Sequence, residues 1–379
     1  MNTDIAYLDH NATTPIRPEA LAAMVAAAEA GGNPSSVHRA GRAARRLVED
    51  ARAAVLSALG AGGADVVFTS GGSEANHLAL RGLPAASLIV GDIEHESVRA
   101  AAQARGLPVF ILPVTRDGVA DLAALERLLG EAPKPVLVAV MLANNETGVI
   151  QPITEIAAAA RRHGARLHCD AVQAFGKIPL DFAALGADSA SVSAHKIGGP
   201  PGVGALVLAS GSEIAPLVAG GQERGLRGGT ENLPGIAGFG AAAELIGDTT
   251  ARLQATRAWR DGLEARLKAA MPGLVVWGEN APRLPNTSCV SLAGQKSETQ
   301  VIAMDLAGIA ISAGAACSSG KVQASHVLGA MGATEAAATA AIRISFGWNS
   351  KAADGERMAD AWTTFVARSA GSGPARAAA

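Results

Sequence analysis

Aromatic side chains, cysteines and excess charge are all scarce in this 379-residue chain. Aromatic residues make up 3% of it, and the formal net charge is −2. Neither a surface that stacks on bases nor a basic face is therefore expected, so nucleic acid is not an expected partner. The three cysteines, Cys169, Cys289 and Cys317, are too few and too scattered for a disulfide framework, which favours a reducing cytoplasmic compartment.

Long apolar runs are also missing. No stretch of about 18 uninterrupted apolar residues occurs, so no membrane span is expected. The segment from Met1 to Asp9 lacks the basic flank and apolar run of a signal peptide. What the chain does contain is 49% hydrophobic and 17% charged residues, a composition that predicts a large buried core rather than disorder.

Short, continuous apolar runs alternate with helical segments over the first half of the chain. This alternation predicts an α/β fold with a mostly parallel sheet covered on both faces. In such sheets ligands bind beyond the carboxyl ends of the strands. The predicted strands are residues 66–69, 88–90, 109–112, 136–141, 166–169, 190–193 and 203–208.

The pattern changes near Leu233. One long, alanine-rich helical region is predicted up to about Ala270, followed by shorter strands at 274–276, 289–292 and 342–345. We expect a large domain over residues 17–250, a small α/β domain from residues 1–16 and 251–370, and a flexible tail over 371–379.

A turn rich in small residues follows the first predicted strand and opens a helix. Gly72 and Ser73 lie in this turn. The free N–H groups and positive potential of a helix N-terminus suit a phosphate. An ordinary capped turn fits the same residues, so both interpretations stay open.

Asp170 and Lys196 each follow a predicted strand. A carboxylate such as Asp170 can face a pyridinium nitrogen and keep it protonated, which makes the ring an electron sink. Lys196, among small residues and beside His195, suits a Schiff-base lysine whose pKa burial would lower. A helix-capping aspartate and a surface lysine are the alternatives. Because only one predicted strand separates the two residues, both can reach one crevice.

Two further strand ends carry polar side chains. His95 can stack on a flat ring or relay protons, and Asn145 can bind a phenolic oxygen, although both also fit plain polar turns. Together with Ser73, Asp170 and Lys196, they give five strand ends that each suit one part of pyridoxal phosphate.

Cys317 lies in a segment of small side chains, residues 312–321, that predicts a mobile loop. A cysteine in such a loop indicates a nucleophile that must move, and Lys321 would favour its thiolate. Cys169 and Cys289 lie in strand-like runs and are interpreted as core residues.

These segments, together with residues 7–14, 32–36 and 222–230, resemble the cysteine desulfurases, a group that includes the NifS and IscS proteins. The resemblance covers nearly the whole chain. It places the chain in the class V aminotransferase-like branch of the fold-type I pyridoxal-phosphate enzymes. It implies the aspartate aminotransferase-like fold, with a mostly parallel seven-stranded sheet and a smaller α/β domain that carries the cysteine loop.

The resemblance also implies roles for individual residues. Lys196 would be the Schiff-base lysine, Cys317 the persulfide-forming cysteine and His95 a catalytic residue that stacks on the ring. Asp170 would face the ring nitrogen. The remaining residues would bind the ring oxygen (Gln173, Asn145), the phosphate (Gly72, Ser73, Ser193, His195, and Thr230 from a partner subunit) and the substrate (Arg343, Asn145).

The reaction so implied removes sulfur from L-cysteine, giving L-alanine and a persulfide on Cys317. A homodimer is implied, as is a sulfur acceptor such as an iron–sulfur cluster scaffold or a tRNA-thiolation protein. Three alternatives stay open: selenocysteine cleavage, transamination on the same scaffold, and a non-enzymatic scaffold with a degenerate site.

Overall fold

A computed structural model describes residues 5–314 and 324–371. Cys317, Lys321 and most of the expected tail therefore lie outside the described residues. The strands are β1 (Ala6–Tyr7), β2 (Asp65–Thr69), β3 (Ser87–Gly91), β4 (Val109–Leu112), β5 (Val136–Met141), β6 (Arg166–Asp170), β7 (Ser189–Ser193), β8 (Gly204–Leu208), β9 (Val275–Val276), β10 (Thr287–Ser291), β11 (Ile309–Ala310), β12 (Ser312–Ala313) and β13 (Ala341–Ser345).

Helices cover most of the remaining described chain. They are α1 (Pro18–Ala30), α2 (Arg39–Ala58), α3 (Gly72–Gly82), α4 (Glu96–Ala104), α5 (Leu122–Glu131), α6 (Ile153–Arg162), α7 (Phe182–Leu185), α8 (Leu233–Glu244), α9 (Ile246–Ala270), α10 (Ser297–Leu306), α11 (His326–Ala330), α12 (Glu335–Thr339) and α13 (Ala352–Gly371). In the described part of the chain no helix is both long and apolar enough to cross a bilayer.

The seven-stranded sheet has the order β2-β8-β7-β6-β5-β3-β4. Neighbours from β7 to β4 pair in parallel, whereas β8 is antiparallel to both β7 and β2. The connection from β7 to β8, residues 194–203, is too short for a crossover, so β8 has to run in the opposite direction. Lys196 lies in this connection.

Both faces of this sheet are covered. Alternate strand residues point to opposite faces, and two buried apolar clusters form there. One packs α3 and α4 on one face through residues such as Leu78 and Val98, and the other packs α2, α6 and α8 on the opposite face. The strands are apolar on both faces rather than alternately polar and apolar, so helices have to cover both faces of the sheet, as predicted.

A third apolar cluster lies around the second sheet, which has the order β12-β13-β10-β9 and is antiparallel. Its core contains Phe346 and Trp362, and also Leu8 from the N-terminal segment. Strand β1 pairs in parallel with β11. These contacts support the expected grouping of the N-terminal residues with the C-terminal part, although the boundaries at residues 17 and 250 stay a prediction.

The helical region expected from Leu233 to Ala270 is present as two helices, because the chain departs from helical geometry at Leu245 between α8 and α9. One local expectation was wrong. Asp170 was expected after its strand but is the last residue of β6, since the ladder with β5 extends through Met141 and Asp170.

Candidate active site

A pocket of about 520 Å³ lies at the carboxyl edge of the large sheet. It forms there because β2, β3, β5, β6 and β7 end at the same edge. Ten of the twelve residues predicted for the site line it: Gly72, Ser73, His95, Asn145, Asp170, Gln173, Ser193, His195, Lys196 and Arg343.

The other two predicted residues are not in this pocket. Thr230 is exposed and lies outside the pocket that the described residues form. Cys317 lies outside the described residues, but Ser312 and Ala313, which precede its segment, line the pocket. The start of the predicted cysteine loop is therefore at the pocket wall.

Lys196 lies on a single 3₁₀ turn directly after β7. Its Nζ donates to the backbone carbonyls of Asn11 at 2.6 Å and Ala12 at 2.7 Å. Burial and the positive charge of Arg343 lower the pKa of Lys196 to about 8. A sizeable fraction of this amine is therefore uncharged and nucleophilic near neutral pH.

Asp170 presents its carboxylate to the pocket from the end of β6. Oδ1 accepts a hydrogen bond from the Val172 N–H at 3.0 Å, and Oδ2 accepts one from Asn76 Nδ2 at 2.8 Å. Two donors on different elements thus fix the direction of the carboxylate.

His95 caps helix α4. Its Nδ1 accepts from the Ser97 N–H at 3.1 Å and lies 2.8 Å from Ser97 Oγ. The helix-capping alternative considered for Asp170 therefore applies to His95 instead. The capping bonds use one edge of the ring, so its faces remain available for stacking.

The start of α3 lines the pocket through Gly72 and Ser73. Among the described residues no side chain caps this helix, so the first N–H groups are available to an anion. A Cβ on Gly72 would lie 2.7 Å from Val172 Cγ2, which explains why glycine fits here. His195 also lines this end; burial and the charges of Lys196 and Lys177 lower the pKa of His195 to about 4, so it is neutral at pH 7.

Arg343 reaches the pocket from β13 of the second sheet. Nη2 forms an ion pair with Asp9 Oδ1 at 2.9 Å, and Nη1 donates to the Asn145 carbonyl at 3.1 Å. Its Nε is buried and finds no hydrogen-bond partner among the residues that the structure describes. Asp9 and the Asn145 carbonyl thus hold the guanidinium in place at the pocket.

The hydrogen-bond partners of Gln173 differ from the one predicted from the sequence. Its Nε2 donates to the Asn11 carbonyl at 2.9 Å, and its Oε1 accepts from Lys177 Nζ at 2.5 Å. Both ends of the amide therefore have protein partners in this arrangement. Its contact with a ring oxygen stays a prediction. To make that contact, the Gln173 amide would have to give up one of its two protein partners.

Three residues near the pocket had been given no role from the sequence. Asn11 accepts from Lys177 Nζ at 2.6 Å through its side chain and from Lys196 through its backbone. Burial, together with Lys196 and Arg343, lowers the pKa of Lys177 well below its usual value. Asn76 bonds to Asp170. A weak signal existed for two of them, since Asn11 lies in the 7–14 motif and Lys177 follows Gln173 by one helical turn.

Comparison with known proteins agrees with this geometry. The family model of the class V aminotransferases matches residues 6–358. A cysteine desulfurase of Cereibacter sphaeroides is 44% identical over 374 residues, which cover 95% of each chain. An IscS-like cysteine desulfurase of Mycobacterium tuberculosis is 39% identical over 96% of this chain and 97% of its own.

Solved structures give the same result. The X-ray structure of a NifS-like protein from Rickettsia africae superposes with a TM-score of 0.88 at 35% identity, covering 96% of this chain and 99% of that one.

The chain belongs to the cysteine desulfurases of the class V aminotransferase family.

Membership confirms the expected fold and makes the chain a pyridoxal-phosphate enzyme. The residues present fit that cofactor. The pocket offers an uncapped helix N-terminus for a phosphate, a fixed carboxylate on Asp170 and an amine of lowered pKa on Lys196. The non-enzymatic alternative is not favoured by this set.

Proposed function

We propose that this desulfurase transfers the sulfur of L-cysteine to Cys317. The C–S bond of the substrate breaks and an S–S bond forms on Cys317. The electron pair of the C–S bond stays on the substrate carbon, which takes up a proton, so the products are L-alanine and the Cys317 persulfide. Carbon is reduced and sulfur is oxidised within the same pair of reactants, so no external oxidant is needed.

The observation that carries this proposal is the convergence of Lys196, Asp170 and Arg343 on one pocket. Pyridoxal phosphate, when bound, supplies an aldehyde that condenses with amines and a ring that accepts an electron pair. We assign the phosphate to Gly72, Ser73, Ser193 and His195, at the start of α3 and the end of β7.

The residues around the ring would have separate tasks. Asp170 would hold the ring nitrogen protonated, His95 would lie on the ring face, and Asn145 and Gln173 would hold the ring oxygen. The restraint on the Asp170 carboxylate by Val172 and Asn76 supports the first of these, because the group is already directed into the pocket.

Arg343 would hold the substrate carboxylate, with Asn145 beside it. The position of Arg343 supports this, since its guanidinium lines the pocket and is held there by Asp9 and the Asn145 carbonyl. With the carboxylate fixed, the substrate Cα is directed toward Lys196. The uncharged Lys196 amine then takes the Cα proton and can return it later in the reaction.

Cys317 would act from a segment that begins at the pocket. Ala313 lines the pocket, and Cys317 follows it by four residues. Four residues span at most about 14 Å when extended. The thiol can therefore reach the substrate sulfur from its predicted loop and also swing outward to an acceptor.

Three wider features belong to the same proposal. The enzyme would be a homodimer in which the partner subunit supplies its Thr230 to the phosphate site; the exposure of Thr230 in the single chain supports this. The acceptor would be a protein such as an iron–sulfur cluster scaffold. The compartment would be the cytoplasm, where free thiols such as Cys169 and Cys289 persist.

The test supplies L-cysteine to the purified protein and measures alanine and sulfide together. Cys317→Ser should keep the cofactor absorbance but lose alanine and sulfide formation. Cys289→Ala, which removes a thiol buried in the core, is the matched control and should keep both products. Sulfide release by Cys317→Ser at the wild-type rate would show that another group attacks the sulfur. 3-Mercaptopyruvate without alanine would instead indicate transamination.

A further inference from the structure

Asn76 joins several buried groups beneath the pocket. The side chain lies on α3 and is 1% exposed. Nδ2 is 2.8 Å from Asp170 Oδ2 and 3.0 Å from Ser97 Oγ, while Oδ1 is 3.0 Å from His168 Nε2. One amide therefore connects the end of β6 with the first turn of α4.

The chemistry of these partners fixes the orientation of the amide. An ionised carboxylate only accepts hydrogen bonds, so Nδ2 must face Asp170. The second Nδ2 proton then points at Ser97 Oγ, and Oδ1 accepts from His168. Burial lowers the pKa of His168 to about 3, so its ring is neutral and its single proton lies on Nε2. Nδ1 of His168 accepts from Ser189 Oγ at 2.8 Å.

The same assignment of hydrogen-bond donors and acceptors extends to His95. Because Ser97 Oγ accepts from Asn76, its own proton is directed at His95 Nδ1, 2.8 Å away. The Ser97 N–H donates to the same nitrogen at 3.1 Å. Two donors converge on Nδ1, so a neutral His95 ring must carry its proton on Nε2.

We propose that Asn76 is a positioning residue that fixes the Asp170 carboxylate and, through the Ser97 hydroxyl, reinforces the His95 tautomer that the Ser97 N–H requires, in which Nε2 carries the ring proton. The tasks of Asp170 and His95 toward the cofactor rest on the proposed function, but the tautomer does not. A neutral His95 of this tautomer can give a proton from Nε2 and cannot take one there first. Asn76 thereby links Asp170, expected at the nitrogen of the cofactor ring, to His95, expected on the ring face.

The test is ¹⁵N NMR of the full-length protein labelled at its eight histidines, with and without pyridoxal phosphate. The His95 signals are assigned by their loss in His95→Gln. In the neutral ring of the wild type we expect Nε2 protonated and Nδ1 unprotonated. A protonated Nδ1 in the neutral ring overturns the proposal, and this measurement needs no destabilising variant.

A double-mutant cycle tests the path through Ser97. Asn76→Ala should shift the Nδ1 signal of His95, although Asn76 bonds to Ser97 rather than to His95. The shift should vanish when Ser97→Ala is already present. An equal shift in both backgrounds overturns the relay. The surface residue His163 should not move in any variant, which controls for a general change of fold.

Cofactor affinity gives an independent readout. Asn76→Ala should raise the dissociation constant of pyridoxal phosphate by on the order of tenfold, the effect of losing one hydrogen bond to a charged group. If the affinity of Asn76→Ala for pyridoxal phosphate is unchanged, Asn76 does not position Asp170 for the cofactor. If wild-type protein forms alanine and sulfide but fails these tests, the inference fails and the function stands. If it passes them but forms neither product, the function fails.

Discussion

At the scale of single residues, the amine of Lys196 is governed by its surroundings. Desolvation and the positive charge of Arg343 lower its pKa to about 8, while Asp9 and Asp170 oppose them. Arg343 thus has two consequences: it offers a donor to an anion, and it keeps the neighbouring lysine partly uncharged. The second effect acts before any substrate arrives.

This double role predicts the outcome of Arg343→Gln. Loss of the positive charge, and release of Asp9 from its ion pair, should both raise the pKa of Lys196. The measurement is the pH dependence of Lys196 modification by an amine-reactive reagent in protein freed of cofactor, with mass spectrometry of the modified peptide. The profile should move to higher pH, whereas Arg46→Gln, an exposed arginine of α2, should leave it in place. An unmoved profile for Arg343→Gln would mean that desolvation alone sets the pKa.

At the scale of elements, α3 and the strand ends position the site. The first turn of α3 packs so tightly on the chain after β6 that a side chain at Gly72 has no room. The helix N-terminus and the Asp170 carboxylate are therefore held at a fixed separation. A cofactor that contacts both has to match that distance.

Gly72→Ala should disturb this separation. The added Cβ, at 2.7 Å from Val172 Cγ2, must push the helix or the turn away. Overpacking of this kind costs about 1–3 kcal/mol. We expect a lower melting temperature and weaker binding of pyridoxal phosphate, measured by titration of its absorbance. The control is Gly130→Ala in α5, where a Cβ meets no described atom within 4 Å; wild-type affinity in Gly72→Ala would contradict the expected fit.

Much of this element-level arrangement could be predicted, because strand ends are local patterns. The residues after strands, such as His95, Asp170 and Lys196, carried a signal within a few positions of sequence. Asn76 did not, since its partner Asp170 is 94 residues away and the pairing depends on the folded sheet. The apolar run of β8 reads the same in either direction, but the short connection after β7 was a sequence signal for its reversal. The break at Leu245 carried only a weak signal, Gly247 two residues later.

At the scale of the whole molecule, residues of the large sheet and of the second sheet line the same pocket. Arg343, on β13, donates to the Asn145 carbonyl, and Glu146, after β5, accepts a hydrogen bond from Ser325 near α11. Burial raises the pKa of Glu146 above its ordinary value to about 7, although Ser325 and Arg343 oppose the shift. The folded protein therefore holds a proton on Glu146 that the unfolded chain releases at lower pH.

This difference predicts how stability depends on pH. Between pH 4.5 and about 7 the folded state binds more protons than the unfolded state, so the free energy of unfolding contributed by Glu146 falls as pH rises. Across the full window the fall is about 3 kcal/mol. Glu146→Gln should remove this fall in the free energy of unfolding. The measurement compares the denaturation midpoints of the variant and the wild type at pH 5 and pH 7.5. The control is Glu29→Gln, on the exposed side of α1, which should leave the pH dependence of stability unchanged. If Glu146→Gln also leaves it unchanged, Glu146 is not the group responsible.

The ion pair between Asp9 and Arg343 has a consequence for biosynthesis. Its two residues are 334 positions apart, so they meet only after nearly all of the described chain has left the ribosome. Domains fold largely as units, from the N-terminus onward. The large sheet, with Lys196 and Asp170, can thus be complete while Arg343 has yet to be translated. If Arg343 binds the substrate carboxylate as proposed, a nascent chain stalled before residue 343 has the pocket for the cofactor without the residue that orients the amino acid.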